Sequence, residues 1–159
     1  MIAWSGIITT SVVSGFVAGF KERAELAKYS VASATFENNR LGVSAKLPDG
    51  WVLLTKENPI APVQDAVMIA VHNQSGCFAT LLVEPDTLGG TSPDGYLTLV
   101  LQNRHKTTPA MKELGRMNVD FGGHQGRRLD TSWTIDGKKL RGFSTACRAG
   151  QRHYLLTGW

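Results

Sequence analysis

The feature that most constrains this chain lies at its start. Ile2 to Phe20 (IAWSGIITTSVVSGFVAGF) carries no charged side chain, and Lys21-Glu22-Arg23 follows at once. Nineteen residues at about 1.5 Å rise each make a helix of roughly 28 Å, near the thickness of a bilayer core. The segment is therefore expected to be a transmembrane helix, with Trp4 and Phe20 as aromatic residues near its two ends. It is only moderately apolar, because Ser5, Gly6, Thr9, Thr10, Ser11, Ser14, Gly15 and Gly19 interrupt it. Ser11, Gly15 and Gly19 recur on one helical face, and Gly15 to Gly19 is a GxxxG. That small face is expected to pack against other transmembrane helices. Two further readings stay open, a secretory signal and a helix buried in a soluble protein. Nothing basic precedes Ile2 as in a signal peptide, and the small-residue site Ala32-Ser33-Ala34 lies well beyond the apolar run. Lys21, Arg23 and Lys28 all follow the segment. Positive-inside logic leans the rest of the chain toward the cytoplasm, with the periplasmic side left open.

Three regions follow from this: an anchor helix and its extension over 1–28, a linker over 29–34, and a domain over 35–159. The extension, Lys21 to Lys28 (KERAELAK), is made of good helix formers, with Glu25 and Lys28 able to pair. Tyr29 to Ala34 reads as a linker or as the first strand. The domain is long enough to bury a single core. A formal charge of +4 allows contact with lipid headgroups or an acidic partner and does not require nucleic acid. Cys77 and Cys147 lie far apart and in no CxxC. They read as packed thiols, or as a disulfide if the domain is exported.

Strand signals dominate the domain. Thr35-Phe36-Glu37 precedes the turn pair Asn38-Asn39, and Leu41 to Leu47 alternates. Pro48-Asp49-Gly50 is a turn in which Pro sets φ and Gly admits a positive φ. Trp51 to Leu54, Val67 to His72 and Phe78 to Glu84 have strand length, and the last two are expected to be neighbours. Glu57 to Pro62 reads as a loop. Ser92 suits an N-cap, Pro93 a first helical position and Asp94 the positive end of the dipole. Tyr96, Leu97, Val100 and Leu101 then form an apolar helical face that Thr107-Thr108-Pro109 ends. A shorter element is expected over Ala110 to Leu114. The remainder reads as an antiparallel meander: Met117 to Phe121, Gln125 to Ile135, Lys138 to Arg148 and Arg152 to Gly158. Asp136-Gly137 is its strongest hairpin signal.

These residues carry a resemblance. Phe36-Glu37-Asn38-Asn39-Arg40-Leu41-Gly42-Val43-Ser44 followed by Leu47-Pro48-Asp49-Gly50-Trp51 resembles the opening of Mog1/PsbP-like domains. The ending is similar too, with its Asp136-Gly137-Lys138-Lys139 turn and last strand Tyr154 to Trp159. The resemblance spans 35–159. It implies an α/β/α sandwich around an antiparallel sheet and a role in binding or assembly rather than catalysis. Some members attach to photosystem complexes, and one class binds a small GTPase. It also implies a helix after the last strand, where this chain stops at Trp159. The chain is thus a fragment, or the sheet face near Trp51 and Trp133 is expected to meet a partner, because an open apolar face costs about 25 cal/mol per Å².

No residue cluster declares a chemistry. His72, His105, His124 and His153 are scattered without ligand spacing, so no metal or cofactor is expected. A Cys77 nucleophile with His72 as base competes with a packed thiol beside a surface imidazole. Gly122 to Gly126 precedes a strand rather than a helix and reads as a loop. Basic residues concentrate in the meander: Arg127, Arg128, Lys138, Lys139, Arg141, Arg148 and Arg152. Strand alternation puts Lys139 and Arg141 on one face, which reads as a solvated face or a contact for an acidic partner or anionic lipid heads. The fold class expected is α+β, an antiparallel sheet with flanking helices, preceded by an N-terminal transmembrane helix. The function expected is that of a non-enzymatic accessory or structural subunit of a membrane complex, anchored by one helix. Its partners would be other transmembrane helices or subunits, without nucleic acid. The alternative is a soluble or exported protein-binding module whose first segment is cleaved or buried.

Overall fold

A computed structural model of the protein describes residues 30–31, 35–54, 65–87 and 89–159. In chain order the elements are β1 (Ser30–Val31), β2 (Thr35–Asn38), β3 (Val43–Lys46), β4 (Trp51–Leu54), β5 (Met68–His72) and β6 (Phe78–Pro85). They continue with α1 (Pro93–Thr107), β7 (Lys112–Phe121), β8 (His124–Ile135), β9 (Lys138–Ala149) and β10 (Arg152–Gly158). Eight strands form one sheet in the order β1-β4-β5-β6-β10-β9-β8-β7, and β2 and β3 form a separate hairpin. Every pairing is antiparallel.

The turns explain much of this order. Gly122 (φ 63°) and Gly123 (φ 81°) join β7 to β8, and Asp136 (φ 50°) and Gly137 (φ 75°) join β8 to β9. Two successive residues of positive φ match the right-handed twist of the strands they connect. The helix begins where Ser92 Oγ accepts a hydrogen bond from the Gly95 N–H at 3.1 Å, and Pro93 takes a position whose N–H needs no partner. The non-local step is the return of β10, which enters between β9 and β6. Its register runs from Arg152 opposite Pro85 to Gly158 opposite Ala79.

Side chains alternate across the strands, so the sheet has a helix face and an outer face. On the helix face, Tyr96, Leu97, Val100 and Leu101 pack on Leu129, Trp133, Ala146 and Leu155, with Met111 closing the end. Leu97 and Leu129 are sealed from solvent. A second cluster joins Leu54, Ala66, Ile69 and Val71 on that face. Two glycines make room for aromatic rings. A Cβ on Gly142 would come within 2.8 Å of the Gly158 carbonyl oxygen and 2.9 Å of the Trp133 ring, and one on Gly158 would strike Phe143. On the outer face the β2–β3 hairpin docks, with Tyr154 Oη donating to the Leu41 carbonyl at 3.0 Å.

Three expectations need correction, and a fourth falls outside the described residues. The domain is mainly β, with one helix among the described residues and that helix on one face, not a sheet with flanking helices. The Ala110–Leu114 stretch does not stand as an element of its own. From Lys112 it joins β7, because a full ladder on β8 outweighs local preference. The anchor helix, with Ser11, Gly15 and Gly19, lies outside the described residues, and no helix among those described is long and apolar enough to cross a membrane. Trp51 and Trp133 also do not share a face. Trp133 is buried beneath α1, whereas Trp51 lies edge-on to His72 with ring centroids 5.6 Å apart.

Candidate functional site

The charged residues of the meander divide between the two faces, and their chemistry differs accordingly. On the helix face, Asp94 in the first turn of α1 holds two guanidinium groups, Arg116 at 3.1 Å and Arg127 at 3.0 Å. Those bonds, Arg127 first, hold the Asp94 carboxyl below its ordinary 3.8. Arg116 also meets Glu113 at 2.9 Å, which with Asp94 raises its guanidinium further. Asp86, after β6, accepts from the Gly90 N–H at 2.7 Å and pairs with Arg148 at 2.7 Å. The Gly90 bond is the main reason that its carboxyl sits low.

Beside Asp86 lies a buried polar cluster. His153 is 3% exposed and stacks on Tyr96, with centroids 4.5 Å apart. Its Nε2 lies 3.3 Å from Asp86 Oδ1, out of hydrogen-bond alignment. Tyr96 Oη donates to Glu84, and burial, then that carboxylate, pushes the phenol well above its ordinary value. Further along α1, Arg104 donates to Ser144 Oγ and Thr157 Oγ1, both at 3.1 Å. Burial lowers its guanidinium to about 10, so it stays charged at neutral pH.

An open groove of about 920 Å³ runs past the start of α1, lined by Gly90 to Asp94 and by residues of β7 and β8 together with Arg148. Its two arginines, Arg127 and Arg148, each already hold a carboxylate. Tyr96 and His153 are not among its lining residues. Charges arranged this way fasten the helix to the sheet.

Of the thiols and imidazoles singled out in the sequence, His72 and Cys77 share one turn. Cys77 and Cys147 are both free, and burial pushes the Cys147 thiol up to about 11, away from reactivity. His72 Nδ1 lies 3.0 Å from Ser75 Oγ, which accepts from the Cys77 N–H at 3.3 Å. That ring nitrogen therefore organises the turn before β6. Among the described residues no group of three or more His, Cys, Asp or Glu could hold a metal ion.

The outer face differs at the far end of β8 and β9. Lys139 lies opposite Thr134, and Arg141 lies opposite Ser132. Both are exposed, both share the face that alternation assigns them, and no carboxylate among the described residues pairs with either. Nearby, Arg128 is held by Asp130 at 2.9 Å and lies over the Phe143 ring at 4.6 Å. Leu114 (53% exposed) and Met117 (48%) stand open on β7. A register shift between Glu113 and Gly115 sets this up. It reverses the alternation, turning Arg116 toward the helix and Met117 outward.

Reading the sequence alone missed two things. One is the Asp86–Arg148–His153 set, which exists only because β10 pairs with β6, a contact between distant segments. The other is the outward turn of Met117, for which Gly115 within a strand was the available signal.

No protein-family model and no curated protein matches the chain in sequence. Solved structures match in shape. Cyanobacterial PsbP (CyanoP) from Synechocystis sp. PCC 6803 aligns with a TM-score of 0.53 at 10% identity, covering 80% of this chain and 81% of that one. LpqN from Mycobacterium tuberculosis, described as involved in cell envelope biogenesis, aligns at 0.42 and 21% identity over 70% of this chain and 65% of its own. PA94 from Pseudomonas aeruginosa, of unknown function, aligns at 0.42 and 15% over 82% and 81%. The fold is Mog1/PsbP-like, as the resemblance of the opening and closing segments implied.

Proposed function

We propose that this protein is a non-enzymatic binding module that docks an acidic surface of a partner protein on the outer face of β8 and β9. Lys139 and Arg141 make the first contacts. The observation that carries this reading is a contrast of pairing. The arginines that rim the helix-face groove each hold a carboxylate, while Lys139 and Arg141 stand exposed without one among the described residues. Exposed cations spaced along one strand face give on-rate and orientation to an acidic partner more than raw affinity. Leu114, exposed at the bulge of β7, adds apolar area that charge alone lacks. The reading agrees with the binding roles that the family resemblance implies.

The test is co-purification of the full chain against the Lys139→Glu/Arg141→Glu double variant at two salt concentrations. An acidic protein retained by the wild type, lost by the variant and weakened by salt supports the proposal. Recovery of the same proteins by both forms sinks it. Vesicles containing phosphatidylserine form the second arm. Binding that depends on them alone, with no protein retained, replaces the partner protein with a lipid surface.

A further inference from the structure

We infer that the outer face receives an extended acidic segment of the partner protein in a trough along β8, with Lys112 and Ser132 as further contacts. The inference rests on the docking role of Lys139 and Arg141, and it adds the shape of the partner and two residues. The ladder brings them together. Lys112 on β7 lies opposite Ser132 on β8, and Ser132 lies opposite Arg141 on β9. Residues directly opposed in a ladder share a face, so one row across the outer face reads Lys112, Ser132, Arg141. Two residues further along β8, Thr134 lies opposite Lys139. The outer residues of β8 here are short hydroxyl side chains, and the strands on both sides carry long cations.

The cations of this trough are uncommitted. Lys112, Lys139 and Arg141 are exposed, and no carboxylate among the described residues pairs with any of them. Two carboxylates close by are engaged elsewhere. Glu113 holds Arg116 at 2.9 Å on the helix face. Asp130, the preceding outer residue of β8, holds Arg128 at 2.9 Å. Ser132 is an independent sign of a ligand. It is 6% exposed, and its hydroxyl has no hydrogen-bond partner among the described residues. Folded proteins seldom leave a buried hydroxyl unpaired, and this one points to the outer face between two cations.

The spacing selects the occupant. Neighbouring strands lie about 4.8 Å apart, so the backbones that carry Lys112 and Arg141 flank a trough about 10 Å wide. A helix with its side chains is about 10–12 Å across and would ride above the floor, whereas a single extended chain reaches it. Side chains of an extended chain alternate in direction, and those on one side recur about every 7 Å. Lys139 and Arg141, two residues apart on one strand, have the same spacing. Two acidic side chains on one side of the segment thus meet Lys139 and Arg141, and the one between them, on the other side, meets Lys112. The hydroxyls of Ser132 and Thr134 donate to oxygens of the segment from below. Contacts of this kind are charge-assisted and exposed at the rim, so binding is fast and salt-sensitive.

Fluorescence anisotropy of a labelled hexaglutamate peptide with the full chain tests this. Binding that weakens with salt is expected. Lys112→Ala and Ser132→Ala should each weaken it at least about threefold. Arg152→Ala removes an exposed cation from the opposite end of the outer face, beyond the screening length of ordinary buffers, and should change it less than about 1.5-fold. Amide chemical shifts of the wild type give a readout that needs no variant: on titration with hexaglutamate, residues 112, 132, 134, 139 and 141 should move and residue 152 should not. If Lys139→Ala/Arg141→Ala loses the peptide while Lys112→Ala and Ser132→Ala bind like wild type, the trough is overturned and the docking role of the first pair stands. Equal weakening by Arg152→Ala overturns it too, as diffuse attraction to a basic chain. A wild type that retains an acidic protein but not hexaglutamate overturns the extended segment in favour of a folded acidic surface, and one that retains neither overturns the docking role as well.

Discussion

The two faces of the sheet are built from the same strands, yet they handle charge and apolar area in opposite ways. Beneath α1, Leu97, Leu129, Trp133 and Ala146 are sealed, and the carboxylates Asp86 and Asp94 are matched to Arg148, Arg116 and Arg127. On the outer face of β7 to β9, Lys139 and Arg141 have no carboxylate partner among the described residues, and Met117 is open, as is Leu114 at the β7 bulge. A residue on the first face is explained by what it touches. Lys139, Arg141 and Met117 on the second are not, and stability places little demand on them. The proposed docking role rests on this contrast, which can be broken by mutations that exchange the expected behaviours.

The largest effect belongs to the sealed face. Leu97→Ala removes a side chain with no exposed area and is expected to cost about 2–5 kcal/mol through lost transfer energy and a residual cavity. Chemical denaturation reads this directly, and a cost below about 1 kcal/mol would mean that α1 is not a structural lid. Gly142→Ala comes next. Its Cβ would sit 2.8 Å from a backbone oxygen and 2.9 Å from Trp133, so a loss of about 1–3 kcal/mol from overpacking is expected. A wild-type midpoint for Gly142→Ala would show that Trp133 can move aside.

The same contrast explains what the sequence made legible. Elements with local causes were readable: the Ser92-Pro93 helix start, the Asp136-Gly137 hairpin and the alternation that puts Lys139 beside Arg141. The apolar stripe of Tyr96, Leu97, Val100 and Leu101 named the helix-face core in advance. What stayed hidden depends on contacts between distant segments. β10 lies beside β6 because seven residues find partners there, and Asp86 meets Arg148 and His153 only as a result. The run from Lys112 is strand because β8 offers a ladder, which propensity cannot foresee. The expectation of flanking helices came with the family resemblance rather than from any second periodic segment in 35–159, and the outer face carries the β2–β3 hairpin instead. Trp51 and Trp133 seemed to share a face because nothing local reports which side of a sheet a strand presents once register and order are unknown.

A smaller effect appears with acid. Asp94 and Asp86 have folded values held below the ordinary 3.8. A carboxyl lowered by folding contributes stability that is present above the unfolded value and is lost as pH falls through the folded one. The midpoint of denaturation is therefore expected to hold down to about pH 4 and then to fall. Asp94→Asn is expected to flatten that fall, because its partners Arg116 and Arg127 no longer lose a counter-charge on acidification. An unchanged acid limb in Asp94→Asn would assign the loss to other carboxylates and weaken the claim that paired charges fasten α1 to the sheet.

The smallest effect on stability, and the sharpest test of the contrast, is at Lys139 and Arg141. Both are exposed, and neither has a carboxylate partner among the described residues. Truncating each to Ala removes an exposed side chain and no ion pair among the described residues, so the midpoint should move by no more than about 0.5 kcal/mol in either direction. Small stabilisation is the more informative sign, since relieving repulsion between neighbouring cations on one strand face leaves the folded state better off. If binding to an acidic partner drops while the midpoint stays, the two faces are separable in function as they are in structure. If the midpoint falls by as much as for Gly142→Ala, these side chains hold the fold, and the outer face is a second structural face like the one beneath α1.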